Sequence, residues 1–331
     1  MYAPLLWLAF TTAVPAFCIA APGYSIRMPL GLEARAMIIP EDNPLTAEKI
    51  ALGKQLFFDP RWSKTRTVSC SSCHHPQKGW SDDRRFSLDH EGKPTSRHAP
   101  TIINRAFSRL EGWIGHRQSA EELLLNLPFT SAEAIAQNIA PVIGYQVQFQ
   151  RVFGKPVTPE GVAQAIAAYQ RTILSGNSAF DRAHAGDKRA LSAAARRGHD
   201  LFQGKGRCAK CHSGPNFTDE GYHNTGIGTD RADADLGRFA ITKRKVNRNA
   251  FKTPTLRDVA RRGPYMHDGS LATLRDVIAF YDRGGLPNPY LSPEMAPLNL
   301  TARERDDLIA FLESLTGQVS AETAAPPVLP Q

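Results

Sequence analysis

The sequence lacks any block of Lys and Arg residues of the kind that binds nucleic acid. Its formal net charge of +8 at pH 7 is spread along all 331 residues, with 40 Lys and Arg against 32 Asp and Glu. This absence argues against nucleic acid as a partner. The excess of positive charge fits an acidic redox partner, and it fits simple solubility equally well.

Charge is also missing from the start of the chain, where no charged side chain precedes Arg27. The residues from Leu5 to Ala21 are mostly apolar, which is typical of a membrane anchor or of a secretory signal peptide. Pro15 interrupts the run and small residues around Ala20 offer a cleavage site, so we predict a signal peptide over residues 1–20, although its usual basic residue is absent. The mature protein is then expected in the bacterial periplasm, without a membrane span.

Cysteine is scarce, since the chain has five and the predicted cleavage removes Cys18. The other four form two motifs, Cys70-Ser71-Ser72-Cys73-His74 and Cys208-Ala209-Lys210-Cys211-His212. Two thiols three positions apart can add across the vinyl groups of a haem while the adjacent His ligates its iron. A structural zinc site is the alternative, but zinc ligands usually enclose a short segment, whereas these pairs begin at positions 70 and 208. The motifs therefore predict two covalently bound haem c groups.

The two motifs lie in an internal repeat, and a similar helical segment precedes each of them. The shared residues are Leu45-Thr46, Gly53, Leu56 and Phe57 in the first copy and Leu191-Ser192, Gly198, Leu201 and Phe202 in the second. A helix with apolar residues on one face follows each motif. Its apolar residues are Val162, Ile166, Tyr169 and Ile173 in the first copy and Leu308, Leu312 and Leu315 in the second. We expect these closing helices to end at Gly176 and Gly317.

This order of elements predicts a mainly α fold, with two cytochrome c-like haem domains in tandem. Long loops are expected because the chain contains 24 Pro and 25 Gly. We place the N-terminal domain at residues 21–180, the C-terminal domain at 181–318 and a flexible tail at 319–331. The segment from Thr301 to Glu304 is expected to form a capping box at the start of the last long helix.

Further motifs follow one another in an order that resembles a known family. They are Asn43-Pro44-Leu45-Thr46, Leu56-Phe57-Phe58-Asp59, Gly79-Trp80-Ser81-Asp82, Arg97-His98-Ala99-Pro100-Thr101 and Tyr265-Met266-His267-Asp268-Gly269. Their order resembles the bacterial di-haem cytochrome c peroxidase family, which includes the methylamine-utilisation enzyme MauG, over roughly residues 28 to 317. The resemblance implies that peroxide is cleaved at the haem on His74, while the haem on His212 stores and relays electrons.

A tryptophan couples the two haems in this family, and its counterpart is Trp113. The alternative for Trp113 is an aromatic residue of the core. The resemblance also implies a glutamate that takes a proton from the near oxygen of peroxide and returns it to the departing one. The candidate is Glu133, with Pro128 at the position of a pocket proline and Leu124 where the family has glutamine. The alternative for Glu133 is a solvated carboxylate at a helix start.

Two further residues bear on how the irons are ligated. A histidine at the position of His90 ligates the oxidised peroxidatic iron in family peroxidases and gates access to it, whereas MauG lacks this gate. An exposed loop position is the alternative for His90. Tyr281 stands where family peroxidases place an axial methionine for the second haem and where MauG places tyrosine, whereas Met266 and Met295 stand elsewhere. The resemblance therefore implies a MauG-like tyrosine ligand, and the alternative for Tyr281 is an aromatic residue on an apolar helix face.

Two more expectations concern charge near the haems. Arg257 is suited to pair with a haem propionate because guanidinium can form two parallel bonds to a carboxylate, and the alternative is a surface ion pair. The family commonly holds calcium between its domains through an asparagine and a threonine position. Those positions are His98 and Arg262 in this chain. Imidazole is a poor ligand for a hard cation that prefers oxygen, while the backbone carbonyl of Arg262 can still serve, so calcium binding is left open and is doubtful.

Three functions are consistent with these residues. The first is a peroxidase that draws electrons from a small redox protein, such as a cytochrome c or a cupredoxin. The second is a MauG-like enzyme that oxidises residues of a partner protein. The third is a non-catalytic di-haem electron carrier. Trp113 and Glu133 favour an enzyme that uses hydrogen peroxide.

Overall fold

The computed structural model describes residues 18–21, 24–127 and 132–331. Most of the expected signal peptide, residues 1–17, and the candidate Pro128 lie outside this part of the chain. The described helices are α1 (Ala47–Phe58), α2 (Cys70–Cys73), α3 (Ala120–Leu125), α4 (Ala132–Ile139), α5 (Ile143–Phe153), α6 (Pro159–Gln170), α7 (Ala179–His184), α8 (Ala193–Gln203), α9 (Phe239–Thr242), α10 (Leu274–Asp282), α11 (Ala302–Ser314) and α12 (Ala321–Ala324). None of them is long and apolar enough to cross a membrane.

Strands are few and short among the described residues. Antiparallel pairing joins β1 (Cys18–Ala21) to β2 (Tyr24–Arg27), and β3 (Tyr222–His223) to β4 (Phe251–Lys252). Loops and single 3₁₀ turns connect most of the remaining elements. The prediction of a mainly α fold with long loops is therefore confirmed.

The internal repeat appears as a pair of crossed helices in each domain. In the first domain α1 packs on α6, and a Cβ atom added at Gly53 would lie 1.8 Å from the carbonyl oxygen of Ala165. In the second domain α8 packs on α11, and a Cβ atom at Gly198 would lie 1.9 Å from the carbonyl oxygen of Asp307. Glycine is required at both positions because the two backbones touch there.

Side-chain caps fix where these helices begin. Thr46 and Ser192 accept hydrogen bonds from the backbone at the starts of α1 and α8. The predicted capping box of α11 is present, because Thr301 N donates to Glu304 Oε2 at 2.7 Å and Glu304 N donates to Thr301 Oγ1 at 3.2 Å. Each cap satisfies a backbone N–H that has no partner within its helix.

The ends of the closing helices were predicted too late. The α6 helix ends at Gln170, before Gly176, and α11 ends at Ser314, before Gly317. A tertiary contact explains the first difference. Asn104 donates its backbone N–H to Ile173 O at 2.9 Å, and its side-chain oxygen accepts from Ser175 N at 2.8 Å. These bonds hold the chain after α6 in a turn.

The domain boundary predicted after residue 180 falls inside α7. The ring of Phe180 lies 5.4 Å from that of Phe217 and 5.6 Å from that of Phe311, both of which belong to the core of the second domain. Phe180 of α7 therefore packs on the core of the second domain.

The segment 319–331, predicted to be a flexible tail, lies against the first domain in the structure. Gln55 Nε2 donates to Val328 O at 3.1 Å, and Arg61 donates to Pro330 O at 2.8 Å. The backbone N–H of Gly144 donates to Gln331 O at 2.8 Å. Val319 and Ala324 also pack against the core of the first domain. Its many prolines and alanines gave no periodic pattern from which this packing could be predicted.

Candidate haem site

One cavity lies between the two domains and joins the two CxxCH motifs. Its wall includes the histidines of both motifs, His74 and His212, together with Trp113 and Tyr281. We call this space the interdomain cavity. It brings together four of the residues that the sequence singled out.

Each motif histidine is held in the same way. The motif makes one helical turn, in which the N–H of His74 donates to Cys70 O at 2.9 Å and the N–H of His212 donates to Cys208 O at 2.9 Å. The Nδ1 atom of His74 lies 3.3 Å from Trp80 O, and that of His212 lies 3.0 Å from a backbone oxygen of the second domain, Phe217 O. Since Nδ1 donates to a carbonyl, Nε2 is left as the atom that can ligate a metal.

The protonation of these groups fits the same role. Burial lowers the pKa of His74 and of His212 to about 4, so both imidazoles are neutral at pH 7, as a metal ligand must be. Burial raises the pKa of Cys70 and of Cys208 to about 12, so both are thiols in the protein without haem. None of the four motif cysteines forms a disulfide in the described part of the chain.

A zinc site does not fit the arrangement. Within residues 18–21, 24–127 and 132–331, Cys211, Asp219 and His223 form the only group of three or more His, Cys, Asp or Glu side chains close enough to share an ion. The two cysteine pairs therefore do not meet in a four-ligand cluster. A pair of thiols beside a neutral, oriented histidine on a shared cavity is the arrangement that c-type haem requires.

Trp113 is fixed between the domains by bonds to both. Its indole Nε1 donates to His98 O at 2.7 Å in the first domain, and its carbonyl oxygen accepts from Lys252 N of β4 at 2.8 Å in the second. Its side chain is half-buried against the interdomain cavity.

Tyr281 lies in the last turn of α10, which begins at a capping box formed by Thr273 and Asp276. Its side chain lines the interdomain cavity, and burial raises the pKa of its hydroxyl. Met266 and Met295 line the same cavity, so the wall offers both a phenol and two thioethers as ligands.

Glu133 and His90 are not among the residues that line this wall. Glu133 is exposed in the first turn of α4, directly after the undescribed residues 128–131. His90 lies in the loop closed by the bridge between Leu88 and Pro94, with its side chain 16% exposed. The Nδ1 atom of His90 is buried and has no hydrogen-bond partner in the described structure.

Arg257 pairs with a different group from the one predicted. Its guanidinium donates to both carboxylate oxygens of Asp181, at 2.8 and 3.0 Å, and also to Pro215 O and Gly31 O. This ion pair is fully buried and lies outside the lining of the interdomain cavity. The residues that partner Arg257 are distant in sequence, so no local signal revealed them.

Sequence reasoning missed two polar groups in the wall, Thr101 and Thr255. Thr101 Oγ1 donates to Gly79 O at 2.7 Å, and Thr255 Oγ1 donates to Asn216 Oδ1 at 2.9 Å. Each threonine follows a proline, at equivalent places in the repeat. An alignment of the two halves could have found this signal.

The side chains at the two positions that the resemblance implies for calcium are both nitrogen groups. The ring of His98 is buried and already bonded, with Nδ1 2.9 Å from Arg84 O and Nε2 3.1 Å from Ser81 Oγ. Arg262 places a buried guanidinium in the same region. Neither side chain offers the oxygen ligands that calcium prefers, so a calcium ion here would rely on backbone carbonyls such as that of Arg262.

Comparison with known proteins agrees with this geometry. Residues 47–189 match the family described as di-haem cytochrome c peroxidase, and residues 195–316 match cytochrome c. The methylamine utilization protein MauG of Methylorubrum extorquens is 43% identical over 86% of this chain and 82% of its own length. The chain belongs to the di-haem cytochrome c peroxidase and MauG family. As a member of it, the chain is an oxidoreductase that uses peroxide and carries haem c.

Other members of the family extend the comparison. The cytochrome-c peroxidase IdrP1 of Denitromonas iodatirespirans is 38% identical over 92% of this chain and 91% of its own length. A crystal structure of a MauG-like protein associated with microbial copper homeostasis superposes with a TM-score of 0.81, at 31% identity, over 88% of this chain and 96% of that one. Two tandem cytochrome c-like domains are therefore the fold of this chain.

Proposed function

We propose that this chain is a periplasmic peroxidase that reduces hydrogen peroxide at a haem on His74, with electrons relayed through a second haem on His212. The observation that supports this most directly is that His74, Trp113 and His212 line one interdomain cavity. When bound, haem supplies the redox-active iron at which peroxide is cleaved and on which electrons are held. The chain itself binds and orients the two groups and moves the protons.

Proton movement is the task that we assign to Glu133. Hydroxide is a poor leaving group, so cleavage of peroxide requires a group that accepts a proton from the near oxygen and delivers it to the departing oxygen. The exposed carboxylate of Glu133 can exchange protons with bulk water. In the sequence it stands five positions after Pro128, the counterpart of the family's pocket proline.

Tyr281 makes the proposed chemistry MauG-like. Its side chain lines the cavity from the last turn of α10. Ligation to a metal cation removes the phenol proton despite the raised pKa of the buried hydroxyl. A hard phenolate stabilises ferric iron, whereas a thioether favours ferrous iron. The second haem is then better suited to storing an oxidising equivalent than an electron.

This property supports a second candidate function, the oxidation of residues in a partner protein. The relative from Methylorubrum extorquens is named for methylamine utilization, whereas IdrP1 is named as a cytochrome-c peroxidase. Tyr281 favours the oxidation of a partner protein. Trp113 is bonded to both domains, and an electron from a protein substrate would pass through it from one domain to the other. A small redox protein as electron donor is the partner under the first proposal.

Attachment of haem at both motifs is the first expected result. Mass spectrometry of the denatured protein should show two covalent haem additions, because each motif presents two thiols beside an oriented histidine. The double variant Cys208→Ser, Cys211→Ser should retain one. A colourless protein that contains zinc would contradict both the cofactor and the function.

A gate at His90 is the second expected result in the oxidised enzyme. If His90 ligates the first haem, that haem should be low-spin and unreactive until half-reduction, and His90→Gly should react with peroxide without reduction. Glu91→Gly is the matched control, since it gives the same loop the same backbone freedom and leaves the imidazole in place. Electron paramagnetic resonance of the oxidised protein gives the spin state. A high-spin wild type that reacts with peroxide at once would show that His90 is not a ligand.

A further inference from the structure

Arg262 is a buried cation in the wall of the interdomain cavity. Arg262 is 7% exposed and lines the cavity together with His74, Trp113 and His212. It follows the 3₁₀ turn Val259–Arg261, so its backbone is held against the core of the second domain, to which Val259 belongs.

This guanidinium lacks the carboxylate partner that two other cations at the cavity, the buried Lys252 and the half-buried Arg105, possess. Arg105 pairs with Glu111 at 2.7 Å, and Lys252 pairs with Glu220. The hydrogen bond found for the Arg262 side chain goes to a neutral acceptor, Thr255 O, and no ion pair reaches it among the described residues.

Arg262 remains charged at physiological pH, since burial lowers its pKa only to about 10. The nearest acid, Asp258, is engaged by Ser175 and by Arg261. A charge buried in a protein is costly unless an opposite charge and hydrogen bonds compensate for it. An anion is therefore expected in the cavity, within reach of the guanidinium N–H groups that have no partner among the described residues.

The chemistry of the cavity identifies that anion. The group that the cavity binds is haem, which carries two propionate carboxylates. A guanidinium forms strong, charge-assisted bonds to a carboxylate. The same positive charge, together with the fully bonded ring of His98, makes the region unsuitable for a calcium ion.

We propose that Arg262 is a resident cation of the interdomain cavity, which pairs with a haem propionate and takes the place of the calcium ion that related proteins hold between their domains. The proposal rests on the haem binding proposed above. It makes the activity of this enzyme independent of calcium.

Calcium itself gives the first test. Metal analysis of the dialysed holoprotein should find less than one tenth of a calcium ion per chain, and EGTA should leave the haem spectra unchanged. The double variant His98→Asn, Arg262→Thr restores the family's side chains and should bind calcium in calorimetric titration. A wild-type holoprotein that contains one calcium per chain, and whose spectra change with EGTA, would overturn the proposal.

Reduction of the haems gives the second test. A nearby positive charge favours the reduced, less positive iron, so Arg262→Met should lower the ratio of reduced to oxidised haem about tenfold or more at a fixed applied potential. Arg262→Lys should retain most of that ratio. The matched control is Arg261→Met, because this neighbouring side chain is 52% exposed and the same charge is removed.

Equal ratios in Arg262→Met and Arg261→Met would contradict the pairing with a propionate. If Arg262→Met fails to fold, Arg262→Lys provides the test. A ratio of reduced to oxidised haem far below that of the wild type in Arg262→Lys would also contradict the pairing with a propionate. Both tests use holoprotein and need no turnover. The proposal for Arg262 can therefore fail while the peroxidase proposal stands. A protein without haem would already have been detected by the mass spectrometry described above.

Discussion

Glu133→Gln is expected to slow the reaction with hydrogen peroxide by about 10²-fold or more, because general acid-base groups typically contribute 10²- to 10⁴-fold. Glutamine keeps the size of the side chain and removes its ability to accept and return a proton. The loss should appear in the rate at which the Soret band changes in stopped-flow mixing with peroxide. Spectra before mixing should be unchanged, since Glu133 holds neither motif histidine.

Glu160→Gln is the matched control for this variant. Glu160 is also an exposed glutamate in the first turn of a helix, α6, so its replacement makes the same change of charge. The control should react at the rate of the wild type. Equal rates for Glu133→Gln and the wild type would remove Glu133 from the mechanism, and the acid-base group would then have to be sought elsewhere in the pocket.

Tyr281→Met is expected to raise the reduction potential of the second haem by roughly 0.1 V or more, within the span of about 0.8 V that axial ligands cover. The change replaces a hard phenolate with a thioether, which favours ferrous iron. Spectroelectrochemical titration measures the potential directly. The variant should also lose the ability to hold oxidising equivalents at the second haem after mixing with peroxide.

Tyr290→Met is the control, because this tyrosine belongs to the same domain and does not line the cavity. The reduction potential of the second haem in Tyr290→Met should match that of the wild type. An unchanged potential in Tyr281→Met would point to Met266 or Met295, the two thioethers in the cavity wall, as the native ligand. The peroxidase proposal would then gain over MauG-like chemistry.

Local patterns predicted the parts of this molecule that are determined locally. The two CxxCH motifs each form one helical turn that presents an oriented histidine, and this geometry is encoded within five residues. The close packing at Gly53 and at Gly198 follows from the repeat. Capping of α11 was also predicted from four consecutive residues.

Errors arose where distant residues determine the structure. Arg257 bonds to Asp181, which is 76 positions away, and sequence alone does not indicate which of many acids it meets. Asn104 ends the helix α6 through contacts 71 positions apart. The last residues of the chain pack on a domain that ended well before them. Pairing of this kind depends on the completed fold, and no pattern within a single segment reveals it.

The ligand opposite His212 decides the central claim, that this peroxidase uses a tyrosine as MauG does. Near-infrared magnetic circular dichroism of the oxidised wild-type holoprotein measures it directly, since His-Met ligation of a ferric haem gives a characteristic band. We expect no such band, because we propose that Tyr281, which lines the cavity from the last turn of α10, is the ligand. A clear His-Met band would contradict the tyrosine assignment and the MauG-like chemistry that depends on it.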